Sequence, residues 1–180
     1  MLSGPSYGFY GPGAIASDGT HVWVANGGDV WVANRGTPAN SVTELDASNG
    51  ALVGIFKGPS YGFTLPDAID SDGTNVWVAS SYRNSVTELL ASTGALVRVI
   101  NATSYGFTLP DAIASDGTHV WVANSGDNSV TELNASTGAM VQVLSGSSYG
   151  FNVPAAIASD GTHVWVANSG DESITELTIS

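Results

Sequence analysis

Three histidines, His21, His119 and His163, and sixteen carboxylates set against four cations are the groups with which this chain of 180 residues could do acid–base or metal chemistry. A metal centre needs such ligands to converge within a few ångström. General acid–base work needs two titrating groups held in different environments. The spacing of these residues favours neither. Each histidine follows an Asp-Gly pair and opens the run Val-Trp-Val-Ala-Asn, always at the same place in an internal repeat, and the remaining copy has Asn75 there. Equivalent positions on separate units converge only if they face a shared axis, so the histidines read as turn-flanking side chains. Asp18, Asp72, Asp116 and Asp160 precede Gly in every copy, and an Asp that accepts nearby backbone N–H groups accounts for them. Glu44, Glu88, Glu132 and Glu176 recur on one strand, which points to the unit's own needs. No Ser-His-Asp order, phosphate-cradling glycine motif or HExxH stretch is present. The absence of cysteine removes thiol catalysis and Cys-type zinc sites. No catalytic residue, metal ligand or cofactor is assigned on this basis.

Candidate functional residues lie where the copies disagree. At the approach to the first strand the copies read Gly13, Asp67, Asp111 and Ala155, and Asp70 replaces the alanine found at Ala16, Ala114 and Ala158. Asp67, Asp70 and Asp111 are expected at one rim, where oxygen ligands suit a hard cation such as Ca²⁺. The plainer reading is solvated turn carboxylates. A second candidate is a doubled motif: Val22-Trp23-Val24-Ala25-Asn26 is followed, after Gly27-Gly28-Asp29, by Val30-Trp31-Val32-Ala33-Asn34. This ten-residue excess, centred on 27–36, predicts an extra hairpin. Trp23 and Trp31 would make it a contact for a partner; duplication tolerated at the surface is the simpler account. The pairs Tyr7/Phe9, Tyr61/Phe63, Tyr105/Phe107 and Tyr149/Phe151 recur in every copy, which fits packing between units better than ligand stacking.

The elements that must position these residues follow from the repeat. Ser-Tyr-Gly-Phe starts at Ser6, Ser60, Ser104 and Ser148, and Ser-Val/Ile-Thr-Glu-Leu at Ser41, Ser85, Ser129 and Ser173, which sets a period of 44 residues. The units run over 6–59, 60–103, 104–147 and an incomplete 148–180. Within the third, Tyr105 to Asp111 reads as a loop, since Pro110 is barred from a central ladder position. Three strands, Ala112–Ala114, His119–Ala123 and Ser129–Leu133, follow, with Asp-Gly and other polar turns between them, and Ala139–Leu144 makes a fourth. Val120 and Val122 point to one face and Trp121 and Ala123 to the other, so the second strand is apolar on both sides and belongs between packed layers. The fourth strand carries Arg98 or Gln142 and suits a solvated outer edge. No window has helical periodicity. A meander of four strands in about 44 residues is the size of one blade of a β-propeller, so the expected fold is all-β: a propeller of four-stranded antiparallel blades in a single repeat domain, 1–180.

Composition narrows the partners. Net charge is −12 and only four residues are Lys or Arg, which disfavours nucleic acid and anionic lipid. Charged residues make up only 11%, so Ser, Thr, Asn and Gly must carry the surface. No apolar run approaches the roughly 20 residues of a membrane helix, and no secretory signal is read at Met1-Leu2-Ser3-Gly4-Pro5.

The run Val-Trp-Val-Ala-Asn after an Asp-Gly turn, at Val22–Asn26, Val120–Asn124 and Val164–Asn168, with Val76-Trp77-Val78-Ala79-Ser80 in the second copy, resembles bacterial and archaeal surface-layer propellers of the YVTN class. It is also similar to NHL-repeat and virginiamycin B lyase-like propellers. The resemblance covers essentially the whole chain and implies the propeller fold, an extracellular or cell-surface setting, and functions ranging from ligand binding to catalysis. Those families usually build six to eight blades, whereas this chain carries four copies, nearly identical to one another. Met1-Leu2-Ser3-Gly4 aligns with Val143-Leu144-Ser145-Gly146, the tail of a fourth strand, and the last unit stops after its third. The expectation is a non-catalytic binding or scaffold module presenting loops to a protein or glycan partner, with a second copy completing a ring of eight blades. Two alternatives stand beside it: a lyase-like enzyme using a cation at the axis, and a recently amplified or engineered repeat without evolved activity.

Overall fold

A computed structural model describes residues 5–9, 11–26 and 40–179. Most of the doubled segment, Trp31 included, lies outside the described residues, as do Met1 to Gly4.

The repeat folds as four consecutive antiparallel sheets. The first blade holds β1 (Pro12–Ser17), β2 (His21–Asn26), β3 (Ser41–Asp46) and β4 (Leu52–Lys57). The second holds β5 (Pro66–Ser71), β6 (Asn75–Ser80), β7 (Ser85–Leu90) and β8 (Leu96–Ile100). The third holds β9 (Pro110–Ser115), β10 (His119–Asn124), β11 (Ser129–Asn134) and β12 (Met140–Leu144). The fourth holds β13 (Pro154–Ser159), β14 (His163–Asn168) and β15 (Ser173–Thr178). Within each blade every strand pairs with the next in sequence, and among the described residues the fourth sheet has three strands. The fold is therefore an all-β propeller of 44-residue repeats, as the period requires.

The turn chemistry fixes the register. Asp116 Oδ1 accepts the N–H groups of Thr118 at 2.8 Å and His119 at 2.7 Å, while Gly117 takes φ 84°, a conformation nearly free of cost only for glycine. The strand that follows then pairs Trp121 with Glu132 and Val122 with Thr131. One boundary differs from the sequence reading: the inner strand is longer than Ala112–Ala114, because Pro110 opens β9 opposite Asn124 across a bulge. The first strand is the edge of its sheet, so the N–H that proline lacks is not needed there.

Blades pack through their inner strands, β1 on β5, β5 on β9 and β9 on β13. Trp23, Ala25 and Val42 of the first blade meet Phe63, Ile69, Val76, Val78 and Leu89 of the second. Trp77, Ala79 and Val86 meet Phe107, Ile113, Val120 and Val122 in the same way. Each Ser-Tyr-Gly-Phe loop locks onto its own blade: the carbonyls of Tyr61 and Tyr105 accept the buried hydroxyls of Thr87 and Thr131. The Tyr and Phe rings stack at 5.4–5.7 Å, and the recurring aromatics are packing residues, as the repeat suggests. Among the described residues β13 has no comparable packing against β1, and the outward faces of both end blades are open. Ile15 is 68% exposed and Ile174 72%.

Candidate functional site

Strands two and three of each blade build one polar line. In the third blade the second oxygen of Asp116 lies 3.4 Å from His119 Nδ1, and His119 Nε2 lies 3.7 Å from Glu132 Oε1. Gln142 Nε2 donates to Glu132 Oε2 at 2.6 Å. The first blade repeats the line through Asp18, His21 and Glu44, at 3.4 and 3.6 Å. There Gly54 stands in place of Gln142 and the Phe56 ring fills the space, so close that a Cβ on Gly54 would meet it at 2.9 Å. In the second blade Asn75 replaces the histidine. Arg98 supplies the cation instead, with Nε 2.7 Å from Glu88 Oε2, and Trp77 donates its indole N–H to Asp72 at 3.3 Å.

Burial sets the electrostatics. It pushes Glu44 and Glu88 above the usual carboxylate range, with His21 and Arg98 pulling the other way. Burial also acts on Asp18 and Asp116, but the turn N–H groups outweigh it and hold both below their ordinary value. Every histidine is thus engaged by carboxylates of its own blade, and among the described residues no three His, Asp or Glu side chains gather to hold a metal. The His–Glu pairing across the second hairpin was not anticipated. Its signal was available: Trp121 faces Glu132 in the pairing register, and His119 lies two residues before Trp121 on the same side.

Among the described residues the three rim carboxylates do not form a group that could hold a metal ion. Asp67 is exposed at the start of β5 and accepts the hydroxyl of Ser81. Asp111 sits half-buried at the same place in β9. Asp70, further along β5, accepts the Ser115 N–H of the next blade at 2.6 Å and is pushed above the carboxylate range by burial, against the pull of that N–H. It lines a small hollow of about 260 Å³ with Ser71, Ser115, Ser159, Ile113 and Ile157 of the inner strands, in which it is the only titrating side chain. Trp23 is completely buried at the junction with the second blade. It is the counterpart of Trp77 and Trp121, so it offers no surface to a partner. The most exposed aromatic among the described residues is instead Tyr82, 74% exposed in the turn between β6 and β7.

A wider opening lies at the fourth blade, a groove of about 510 Å³ between it and the third. Trp121, Glu132 and Gln142 form one wall and Glu176, Leu177 and Ile179 the other. Here Glu176 and His163 form the fourth copy of the polar line, at 3.7 Å, with their side chains 59% and 39% exposed.

No known protein family and no curated protein matches the chain. Solved structures do. The hydrazine synthase of Kuenenia stuttgartiensis superposes with a TM-score of 0.72 at 18% identity, over 94% of this chain and 46% of that one. The computationally designed Ika8 protein gives 0.68 at 14% identity, over 93% and 46%. A chain of a nidogen/laminin complex gives 0.69 at 16% identity, over 93% and 59%. These likenesses carry the fold, and this chain spans about half the length of the chains it matches.

Proposed function

We propose that the protein is a non-catalytic propeller module that completes its ring with a second copy and presents its loops to a protein or glycan partner. The observation that carries this reading is that both open end faces repeat surfaces that the inner junctions bury. At those junctions an asparagine with positive φ reaches forward: Asn40, Asn84 and Asn128 accept the N–H of Leu65, Leu109 and Val153 at 2.7–2.9 Å. The free ends carry the matching halves. Glu172 occupies the asparagine position of the fourth blade with φ 59°, and Gly11 occupies the leucine position of the first with φ 54°. Turn aspartates are likewise bridged by the next blade's serine, Ser115 to Asp72 and Ser159 to Asp116, which leaves Asp160 of the fourth blade open to a serine such as Ser17 of another copy. Two chains of four blades joined through both ends form a closed ring of eight, with no edge faces left to aggregate.

The non-catalytic part rests on symmetry. The titrating lines are copied from blade to blade and held by their own turns, and the hollow at the inner strands holds the single carboxyl of Asp70. Exposed Tyr82 and its neighbour Arg83 mark one loop suited to a partner.

Size-exclusion chromatography with light scattering tests the assembly. A mass twice the 18.3 kDa of one chain is expected, with Ile15→Asp or Ile174→Asp giving the single-chain mass. A monodisperse monomer of the unmodified chain overturns the reading.

A further inference from the structure

The outer strand of each of the first three blades leads into the next blade through one loop, and the copies write that loop differently. It reads Lys57-Gly58-Pro59-Ser60 after β4, Asn101-Ala102-Thr103-Ser104 after β8 and Ser145-Gly146-Ser147-Ser148 after β12. Gly58 and Gly146 take φ 114° and 99°, a region that favours glycine. Ala102 stands in their place with φ −71° and ψ 139°, so the second loop runs extended there before Thr103–Tyr105 closes a single 3₁₀ turn. Asn101, Ala102 and Thr103 are all exposed. The Tyr105 N–H donates to the Ala102 carbonyl at 3.0 Å and the Gly106 N–H to the Thr103 carbonyl at 3.2 Å. The loop is thus held by its backbone, and the side chains of Asn101 and Thr103 take no part in that bonding.

Asn-x-Thr or Asn-x-Ser, with any middle residue except proline, is the acceptor pattern for N-linked glycans. It occurs twice in the chain, at Asn101-Ala102-Thr103 and at Asn134-Ala135-Ser136, and the fold treats the two in opposite ways. Asn134 closes the ladder opposite His119. Its Oδ1 accepts the Ser136 hydroxyl at 2.8 Å, the Thr137 N–H at 3.0 Å and the Thr137 hydroxyl at 2.9 Å. Ala135 is buried in the core between the second and third blades. A transferase has to engage the asparagine amide, the middle residue and the hydroxyl beyond it as one accessible segment. The loop after β8 presents that segment, and the turn after β11 consumes it.

We infer that Asn101 is an acceptor site for an N-linked glycan. The donor class is an oligosaccharide carried on a lipid diphosphate, and donor and transferase both come from outside the chain. Nδ2 of Asn101 forms a bond to the anomeric carbon, and the bond from that carbon to the diphosphate oxygen breaks. The lipid diphosphate leaves, and one amide proton passes to solvent through a base of the transferase. Nothing is oxidised or reduced. The loop joins the second blade to the third, so the site is the same whether the chain stands alone or joins a second copy.

The test incubates the folded full chain with a purified single-subunit oligosaccharyltransferase that accepts Asn-x-Ser/Thr and with a lipid-diphosphate oligosaccharide, followed by intact-mass spectrometry and peptide mapping. A mass increase of one oligosaccharide per chain is expected, mapped to Asn101. Asn101→Gln and Thr103→Ala are each expected to abolish it with the melting temperature unchanged, while Asn134→Gln leaves it in place. A free peptide of the Val130–Met140 sequence is expected to be modified, because outside the fold its asparagine is released. An unmodified folded chain overturns the inference. Modification of Asn134 as readily as Asn101 in the folded chain, or refusal of the Val130–Met140 peptide, overturns it too, since the choice between the two sequences would then not be made by the fold.

Discussion

The second and third blades share one backbone and the same buried glutamate, yet they balance it from opposite sides. In the third, His119 arrives from the inner neighbour of the glutamate strand and Gln142 from the outer one. In the second, Asn75 leaves the inner side without charge and Arg98 supplies all of it from the outer side. The first blade needs only its histidine, and Phe56 takes the vacated volume. A repeat can thus exchange residues at one position only if another position in the same blade changes with it. The constraint lies in the buried carboxylate, which cannot be left bare at low dielectric.

The largest expected effect comes from removing the cation beside Glu88. Arg98→Ala should destabilise the chain by about 3 kcal/mol in urea unfolding at pH 7, the low end for a broken buried pair because Arg98 is partly exposed. Gln142→Ala, which leaves His119 beside Glu132, should cost about 1 kcal/mol. Equal costs would break the comparison. A sharper form is the transplant: Asn75→His in an Arg98→Gln chain gives the second blade the third blade's residues, and it should recover most of the loss.

Much of this architecture was legible before any coordinates. The period, the Asp-Gly turns and the doubly apolar Val-Trp-Val-Ala strand are local signals, and four-stranded blades follow from them. Pro110 misled at the strand start because its meaning depends on whether the strand is an edge, which pairing order decides. The rim of Asp67, Asp70 and Asp111 was a guess about proximity across blades. That depends on the rotation from blade to blade and on which neighbour captures each side chain first; Ser81 takes Asp67 and the Ser115 N–H takes Asp70. Trp23 looked adhesive because it was doubled in sequence, but the next blade's inner face already consumes it. The His–Glu lines were within reach, since they need only the hairpin register.

Asp70 supplies a second, smaller difference between the blades, since the third has Ala114 there. Burial raises the Asp70 carboxyl above its ordinary 3.8, so the folded chain takes up this proton before the unfolded chain does. Stability from this group is therefore gained as pH falls through the raised value toward 3.8 and is lost as pH rises again. Asp70→Ala removes that term and leaves every other titrating group in place. Thermal melts at pH 7 and at about pH 4, just above the ordinary value, should show the unmodified chain gaining relative to the variant at the lower pH. Asp18, Asp116 and Asp160 have lowered values, about 2 for Asp160. Their contribution is present above the ordinary value and is lost only below it, so it stays outside this window. Parallel profiles would mean that Asp70 is not buried in solution.

The smallest effect concerns a donor that the second blade lacks. Asn124 donates to Ser129 and Thr131 at 3.1 Å and accepts the Thr108 N–H at 3.3 Å, all within the third blade. The second blade has Ser80 there, and the hydroxyls of Ser80 and Ser85 are both buried without a partner. Ser80→Asn restores the arrangement on a backbone already in the same register, since Ser80 pairs with Ser85 as Asn124 does with Ser129. Satisfying buried polar groups of this kind is worth about 1 kcal/mol. The variant should therefore be more stable than the unmodified chain by that amount in urea unfolding, an increase that a lost contact cannot mimic. Asn124→Ser should cost a similar amount in the third blade. If both substitutions destabilise, the cavity at Ser80 is shaped for serine, and the second blade is adapted at this position and not merely depleted.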